Sequence, residues 1–284
     1  MLYRIRFFSS FCDSIYCKSE FEKVCETDKM DNYGPDKPIY IVTDDTYTHA
    51  IILNTATPHL DIPKENVVGL ACEPPPFLGI NHYFTTYAEK HISKYFIGDS
   101  SNKRPFINEY AFLWHNRPPS IIPNKSNTMS IMVSHKHQAP GHVYRHKLVQ
   151  SILNSDLDIH IYGNGCRYYP NDSRIKGEFL ENEPYETYKF HICIENFSVP
   201  HYTSEKYTNT ILSGTTPLYL GAKNPLFPEY TIKLTGDVDN DMQIIRKIYQ
   251  DPEKYRCIIN QEVVRPRLNL LKHLDTIFSQ EVQD

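Results

Sequence analysis

FHICIENFSVPHYTSEKYTNTILSGTTPLYLG, residues 190–221, sets two short apolar runs, 190–194 and 217–220, on either side of a helix-length segment, 204–212. A strand, a helix and a strand in this order make one β-α-β unit of a parallel sheet. The pattern continues upstream, where 129–133 and 158–162 read as strands and 144–153 as a helix with Leu148, Val149 and Ile152 on one side. These segments predict a doubly wound domain over 128–258, whose ligands collect at the carboxyl ends of its strands. Nearer the start, 3–7, 39–42, 49–53, 67–70 and 95–97 read as strands and 18–25 as a helix, which predicts a second α/β domain over 1–120. Pro118, Pro119 and Pro123 lie in a polar stretch, 117–127, without helical or strand period, and this is the expected linker. In the last part, 259–284, the segment 266–278 reads as a helix in which Leu268, Leu271, Leu274 and Ile277 form an apolar stripe that needs a partner.

Bulk properties narrow the function. A chain of 284 residues suits two domains better than one core, and 40% hydrophobic with 23% charged residues is a composition that folds. A formal charge of −4 gives no basic field for nucleic acid, so phosphate binding has to be local. No apolar run approaches the roughly 20 residues that span a bilayer. Arg4 and Arg6 lack a following apolar core, so neither signal peptide nor anchor is read, and a cytoplasmic location is expected. Seven cysteines without a CxxC pair suit reduced thiols, and Cys12, Cys17 and Cys25 read as small buried hydrophobes.

Chemistry concentrates in the opening stretch. Lys206 falls in the first turn of its helix, whose amino end carries partial positive charge and unpaired N–H groups. A diphosphate there meets a cation, a dipole and donors together, without a metal. Glu205 suits hydrogen bonds from ribose hydroxyls, and Tyr202 offers a ring to the base. The same residues also suit a capped helix with solvated charges. His135, His137, His142 and His146 crowd one loop and helix start but lack Cys or carboxylate neighbours, so Ser134, Lys136 or a backbone N–H on a phosphate-side loop is preferred to a metal. Asp237-Val238-Asp239 has the Asp-x-Asp form of metal-dependent sugar transferases, yet it precedes a helix, where Asp239 reads more simply as an N-cap.

Glu195-Asn196, Tyr202, Glu205-Lys206, Pro217 and Gly221 together resemble the signature of the family 10 α-1,3-fucosyltransferases, of bacterial or large-virus type. Phe197 stands where that family usually has Ser, His201 where an acidic residue is common, and Ser204 in place of Thr. These departures leave the sugar and the base open. The resemblance implies a GT-B fold: two Rossmann-like doubly wound domains facing a cleft, with 1–120 binding the acceptor, 128–258 the donor, and 259–284 returning to the first domain. It implies an inverting, metal-independent transfer of fucose, or a related deoxysugar or pentose, from a nucleotide-diphosphate sugar to an oligosaccharide hydroxyl. The donor is GDP-fucose or a UDP-sugar, and no other cofactor is implied.

Site residues follow from the same resemblance. Arg145 matches an Arg near the start of a helix, placed to take the departing phosphates bidentately. Tyr162 and Gly163 belong to a strand-then-glycine turn, and Ser134, Glu195, Asn196, Tyr202, Ser204, Glu205 and Lys206 complete the donor side. Glu73, leaving a strand into Pro74-Pro75-Pro76, is the expected base; apart from the resemblance, Trp114 and His115, in an aromatic-rich stretch that suits the apolar face of a sugar, are candidates for the acceptor wall. Two alternatives stay open: a non-catalytic sugar- or nucleotide-binding module of the same fold, and a UDP-xylose-dependent xylosyltransferase.

Overall fold

The structure, a computed structural model, describes residues 2–112 and 115–279. The chain divides into two compact units. The first comprises the chain up to Arg117, the short segment Val199–Tyr202 and the chain from Arg265 onward; the second comprises Pro118–Ser198 and Thr203–Val264.

In the first unit six parallel strands, β1 (Tyr3–Ser9), β2 (Ile39–Ile41), β3 (His49–Leu53), β4 (Val67–Leu70), β5 (Lys94–Ile97) and β6 (Phe106–Asn108), lie in the order β2-β1-β3-β4-β5-β6. All of β3 and β4 is buried, as expected of central parallel strands covered on both faces. Three helices from the first part of the chain accompany this sheet, α1 (Ser14–Thr27), α2 (Pro75–Leu78) and α3 (His82–His91), and the C-terminal segment adds to them. Cys17, Phe21 and Cys25 of α1 share a helix face and pack on Ile5, Phe7 and Ile51. Phe84 and Ala88 of α3 close the other core with Ile52, Val67 and Tyr95. Asp13 caps α1 by accepting from the Tyr16 N–H at 2.7 Å. Cys12 and Cys17 stand just before and one turn after that cap, with sulfurs 3.4 Å apart, an apolar clasp that fixes the chain's entry into the helix.

The second unit has strands β7 (Asn127–Met132), β8 (Ile159–Tyr162), β9 (Ile175–Gly177), β10 (Tyr188–Ile194), β11 (Thr216–Leu220) and β12 (Ile232–Lys233), again parallel, in the order β12-β11-β10-β7-β8-β9. Its helices are α4 (Pro140–Leu153), α5 (Glu183–Glu186), α6 (Glu205–Leu212), α7 (Val238–Gln250), α8 (Pro252–Tyr255) and the first half of α9 (Gln261–Leu268). Leu148, Val149 and Ile152 of α4 and Ile245 and Ile248 of α7 bury one sheet face, against Ile131, Ile161 and Ile192. The chain leaves β7 towards β8 on one side and later returns through β10 on the other. That reversal opens a crevice at the carboxyl ends of β7 and β10, where ligands bind in such sheets.

Two expectations about elements need correction. Helix α4 begins at Pro140, not at 144, because a proline at the first helical position loses no hydrogen bond and is already set at a helical φ. The C-terminal stripe is not one helix: α9 ends at Leu268, Asn269 accepts from the Leu271 N–H at 3.0 Å to start a 3₁₀ turn, and α10 (Leu274–Phe278) follows. A spacing of three would drift around a continuous α-helix, and the break keeps Leu271, Leu274 and Ile277 all on the β1–β4 core. Among the described residues no helix is long and apolar enough to cross a membrane.

Candidate active site

The crevice at β7 and β10 is built by a missing side chain. A Cβ on Gly141 would stand 1.8 Å from the Glu195 carbonyl oxygen, so only glycine lets the first turn of α4 press against the exit of β10. There the Gly141 N–H donates to the Asn196 carbonyl at 3.0 Å. Arg145 lies on the second turn of α4, and helical side chains lean towards the amino end. Its Nη2 donates to the Ile194 carbonyl and, at 3.4 Å, to Asn196 Oδ1. Arg145 thus reaches the site from the second turn rather than opening the helix, as the sequence had suggested.

From the opposite side, Glu195 is buried and its Oε1 accepts the Ser204 N–H at 2.8 Å. Ser204 caps α6 through its Oγ, which accepts the Lys206 N–H at 3.3 Å. Lys206 Nζ meets Glu205 Oε1 at 2.7 Å, with the two side chains 20% and 52% exposed. Burial pushes the Glu195 carboxyl up from its ordinary range and pulls Arg145 down. Burial also disfavours charge on Glu205 and Lys206, but their mutual attraction outweighs it, so Glu205 ends lowered and Lys206 raised. His142 reports the convergence: burial first, then Arg145, Lys136 and Lys206, push it down to about 4. It is therefore neutral at pH 7, and its Nδ1 accepts the Ala139 N–H at 3.2 Å as a cap for α4. Two helix amino ends and the cations Arg145, Lys206 and Lys136 share one crevice with Glu195 and Glu205, an arrangement that suits a multiply charged anion.

The remaining sequence-predicted donor residues have other surroundings. Gly163 has φ 105°, and a Cβ on it would stand 2.4 Å from the Val133 carbonyl oxygen, so its part is to let the exit of β8 approach that of β7. The Tyr162 hydroxyl pairs with that of Tyr188 at 2.7 Å, and His160 joins the same hydroxyl at 2.7 Å. Ser134 is half-buried in the loop before α4; its Oγ accepts the Lys136 N–H at 3.3 Å. Tyr202 is buried, its Cβ 2.9 Å from where a Cβ on Gly98 would stand, and it belongs to the first unit.

In the first unit Glu73 is exposed at the exit of β4, where the Cys72 N–H donates to Asn54 Oδ1 at 2.8 Å. His115, an expected part of the acceptor wall, is 5% exposed, its Nδ1 lies 2.8 Å from the Asn116 carbonyl, and burial holds it below its ordinary pKa. Trp114 lies outside the described residues. The cap of α7 is Asp237, accepting from the Asn240 N–H at 2.9 Å, and not Asp239. His146 shares its ring nitrogens with Tyr169 and the Ser134 carbonyl and stacks on His137 at 4.1 Å. Among the described residues no group of three or more His, Cys, Asp and Glu is placed to hold a metal ion. Gly141 and the cap role of His142 escape a sequence reading, although Pro140-Gly141 after a strand and a polar loop is the signal that finds them.

Residues 122–231 match the model of glycosyltransferase family 10 (fucosyltransferase), C-terminal part. The chain resembles the family 10 fucosyltransferases. The matched stretch covers well under half of the chain but includes Arg145, Glu195 and Lys206. Among solved structures, an α1,3-fucosyltransferase with GDP is 12% identical with a TM-score of 0.52, over 99% of this chain and 92% of that one. Another α1,3-fucosyltransferase structure reaches 0.53 at the same identity and coverage. The spinosyn forosaminyltransferase SpnP reaches 0.51 at 9% identity, over 99% of this chain and 100% of that one. At such identities the likeness is one of fold, and the fold is the α/β architecture of GT-B glycosyltransferases, with two parallel six-stranded sheets. No curated protein matches by sequence.

Proposed function

We propose that the chain is an inverting, metal-independent glycosyltransferase that moves fucose, or a related deoxysugar or pentose, from a nucleotide-diphosphate sugar to a glycan hydroxyl. The observation that carries this reading is the meeting of Arg145 and Lys206 with the amino ends of α4 and α6, inside the stretch that matches the family model. The donor diphosphate binds there. As the glycosidic bond breaks, negative charge grows on the leaving diphosphate, and Arg145 and Lys206 stabilise it in a site whose polar groups are already oriented. Glu205, half-exposed at the start of α6, accepts from the ribose hydroxyls. Glu195 does not touch the donor in this scheme; it holds Ser204 and balances the two cations. In the first unit Glu73 takes the proton of the acceptor hydroxyl as that oxygen attacks the anomeric carbon from the face opposite the diphosphate.

GDP is the first nucleotide to test, since an α1,3-fucosyltransferase of the same fold is crystallised with it. In EDTA, GDP at 100 times its dissociation constant stabilises the folded state by about 2.7 kcal/mol, read as a thermal shift, while UDP at the same concentration gives less. Mass spectrometry of donor and acceptor mixtures then follows transfer. A response to neither nucleotide, or transfer lost in EDTA and restored only by Mn²⁺, removes this account.

A further inference from the structure

In the first unit, the exits of β1 and β4 offer an exposed surface beside Glu73. After β1, Ser9 Oγ accepts the N–H groups of Phe11 and Cys12 at 3.2 and 3.3 Å, which folds the loop tightly. Phe11 is left 50% exposed, as is Tyr16 in the first turn of α1, while the Cys12–Cys17 clasp holds loop and helix together. After β4 the chain passes Glu73 into a proline turn in which the Phe77 N–H donates to the Pro74 carbonyl at 2.8 Å, and Phe77 stays 41% exposed. Only β3 separates β1 from β4, so the two exits lie about 10 Å apart at the same end of the sheet. Cys12 and Cys72, the neighbours of Phe11 and Glu73, pack on one apolar cluster.

We propose that the exposed rings of Phe11, Tyr16 and Phe77 form a stacking platform for the acceptor sugar, a hexopyranoside that lays its C–H face on the rings and turns a hydroxyl to Glu73. This rests on the reading of Glu73 as the base. A pyranose has one face of C–H groups and a rim of hydroxyls, so aromatic surface beside a carboxylate matches both parts. Rigid rings give this contact area with little loss of side-chain freedom. Three aromatic rings exposed at the mouth of a sheet, rather than scattered singly, mark a binding surface.

The test uses the full chain with methyl β-D-galactopyranoside and methyl β-D-glucopyranoside as probes. Saturation-transfer NMR on the wild type is expected to mark the C–H protons of one ring face. The pair Phe11→Ala and Phe77→Ala is expected to weaken binding roughly tenfold, and Phe11→Tyr with Phe77→Tyr to restore it. In turnover with an oligosaccharide acceptor, the alanine variants raise the acceptor KM by a similar factor and leave kcat and the donor KM near wild type. Because the rings are at the surface, melting temperatures should match. No saturation transfer to either glycoside, or the same transfer in the double alanine variant, overturns the platform. Loss of glycoside binding in a chain that transfers no sugar keeps the platform and removes the catalytic reading, whereas transfer with an unchanged acceptor KM does the opposite.

Discussion

Gly141 and His142 sit side by side at the start of α4, and neither carries a charge at pH 7, yet both shape the crevice proposed for the donor diphosphate. Glycine admits the helix to the Glu195 carbonyl; histidine registers the three cations gathered there. With its folded pKa near 4 against an ordinary value near 6.5, His142 takes up its proton more readily in the unfolded chain. Its contribution to stability is therefore intact above pH 6.5 and is lost as pH falls towards 4. A bound diphosphate offsets the neighbouring cations, so nucleotide binding is expected to raise the His142 pKa, with proton uptake below about pH 6.5. Ring NMR titrations with and without GDP measure this, and an unmoved pKa places the diphosphate away from α4. The charged residues divide differently. Lys206→Ala and Arg145→Ala should weaken donor binding and slow transfer, because their charges face phosphates in the ground state and more negative charge in the transition state. Glu73→Gln keeps the size but cannot take a proton, so donor affinity stays near wild type while turnover falls by about 10²–10⁴-fold. Calorimetry on the nucleotide sugar with single-turnover kinetics separates the two patterns; near-normal turnover in Glu73→Gln moves the base elsewhere. Lys206 was legible in the sequence because charge at a helix start has a direct physical reading, whereas Arg145, on the second turn of α4, came from the family resemblance. Gly141 was not legible, since its reason is a carbonyl more than fifty residues away.

At the scale of elements, α4 is held at both ends, and that aims Arg145. Its amino end rests on Gly141. At its carboxyl end the Arg174 guanidinium donates to the carbonyls of Ile152, Leu153, Ser155 and Leu157 at 2.8 to 3.0 Å and pairs with Asp172 at 2.8 Å. Ile152 and Leu153 are among the last carbonyls of α4, which a helix end leaves without intrahelical partners, and Ser155 and Leu157 lie just beyond it. Arg174→Met is expected to cost about 2–4 kcal/mol in urea unfolding, from several charge-assisted bonds lost at a largely buried site. Arg174 holds the Asp172 carboxyl down at about 2, so this pairing contributes fully above pH 4 and is lost as pH falls through 2. An Arg174→Met variant as stable as wild type at pH 7 contradicts the cap. Central strands were readable from composition alone, because β3, β4 and β10 are apolar runs buried on both faces. Of the edge strands, β2 was read within the apolar run 39–42, whereas β6, β9 and β12, three, three and two residues long, are too short to show any period, and pairing with a neighbour is what makes them strands.

For the molecule as a whole, the units are not simple consecutive halves of the chain. Val199–Tyr202, lying in sequence between β10 and α6, belongs to the first unit, and so does the chain from Arg265 onward. Neither assignment follows from local period, since each depends on partners distant in sequence. The second has a thermodynamic consequence. Leu270, Leu271, Leu274 and Ile277 are almost fully buried in the core beneath β1 to β4, the Tyr3 hydroxyl donates to Asp275 at 2.6 Å, and the Asn269 amide donates to Asp28 at 2.7 Å. Burial of four such side chains is worth about 6–12 kcal/mol by transfer alone. That is comparable with the whole net stability of a domain, ~5–15 kcal/mol. A chain ending at Val264 is therefore expected to lose the first unit, seen as rapid amide exchange in β1, β3 and β4. The second unit keeps its sheet, Arg145 and Lys206, and should still bind a nucleoside diphosphate in calorimetry while transferring no sugar. Persisting protection in β1 and β3 after truncation shows that the C-terminal segment is dispensable to that core. Loss of nucleotide binding together with the first unit shows instead that the donor site does not stand alone.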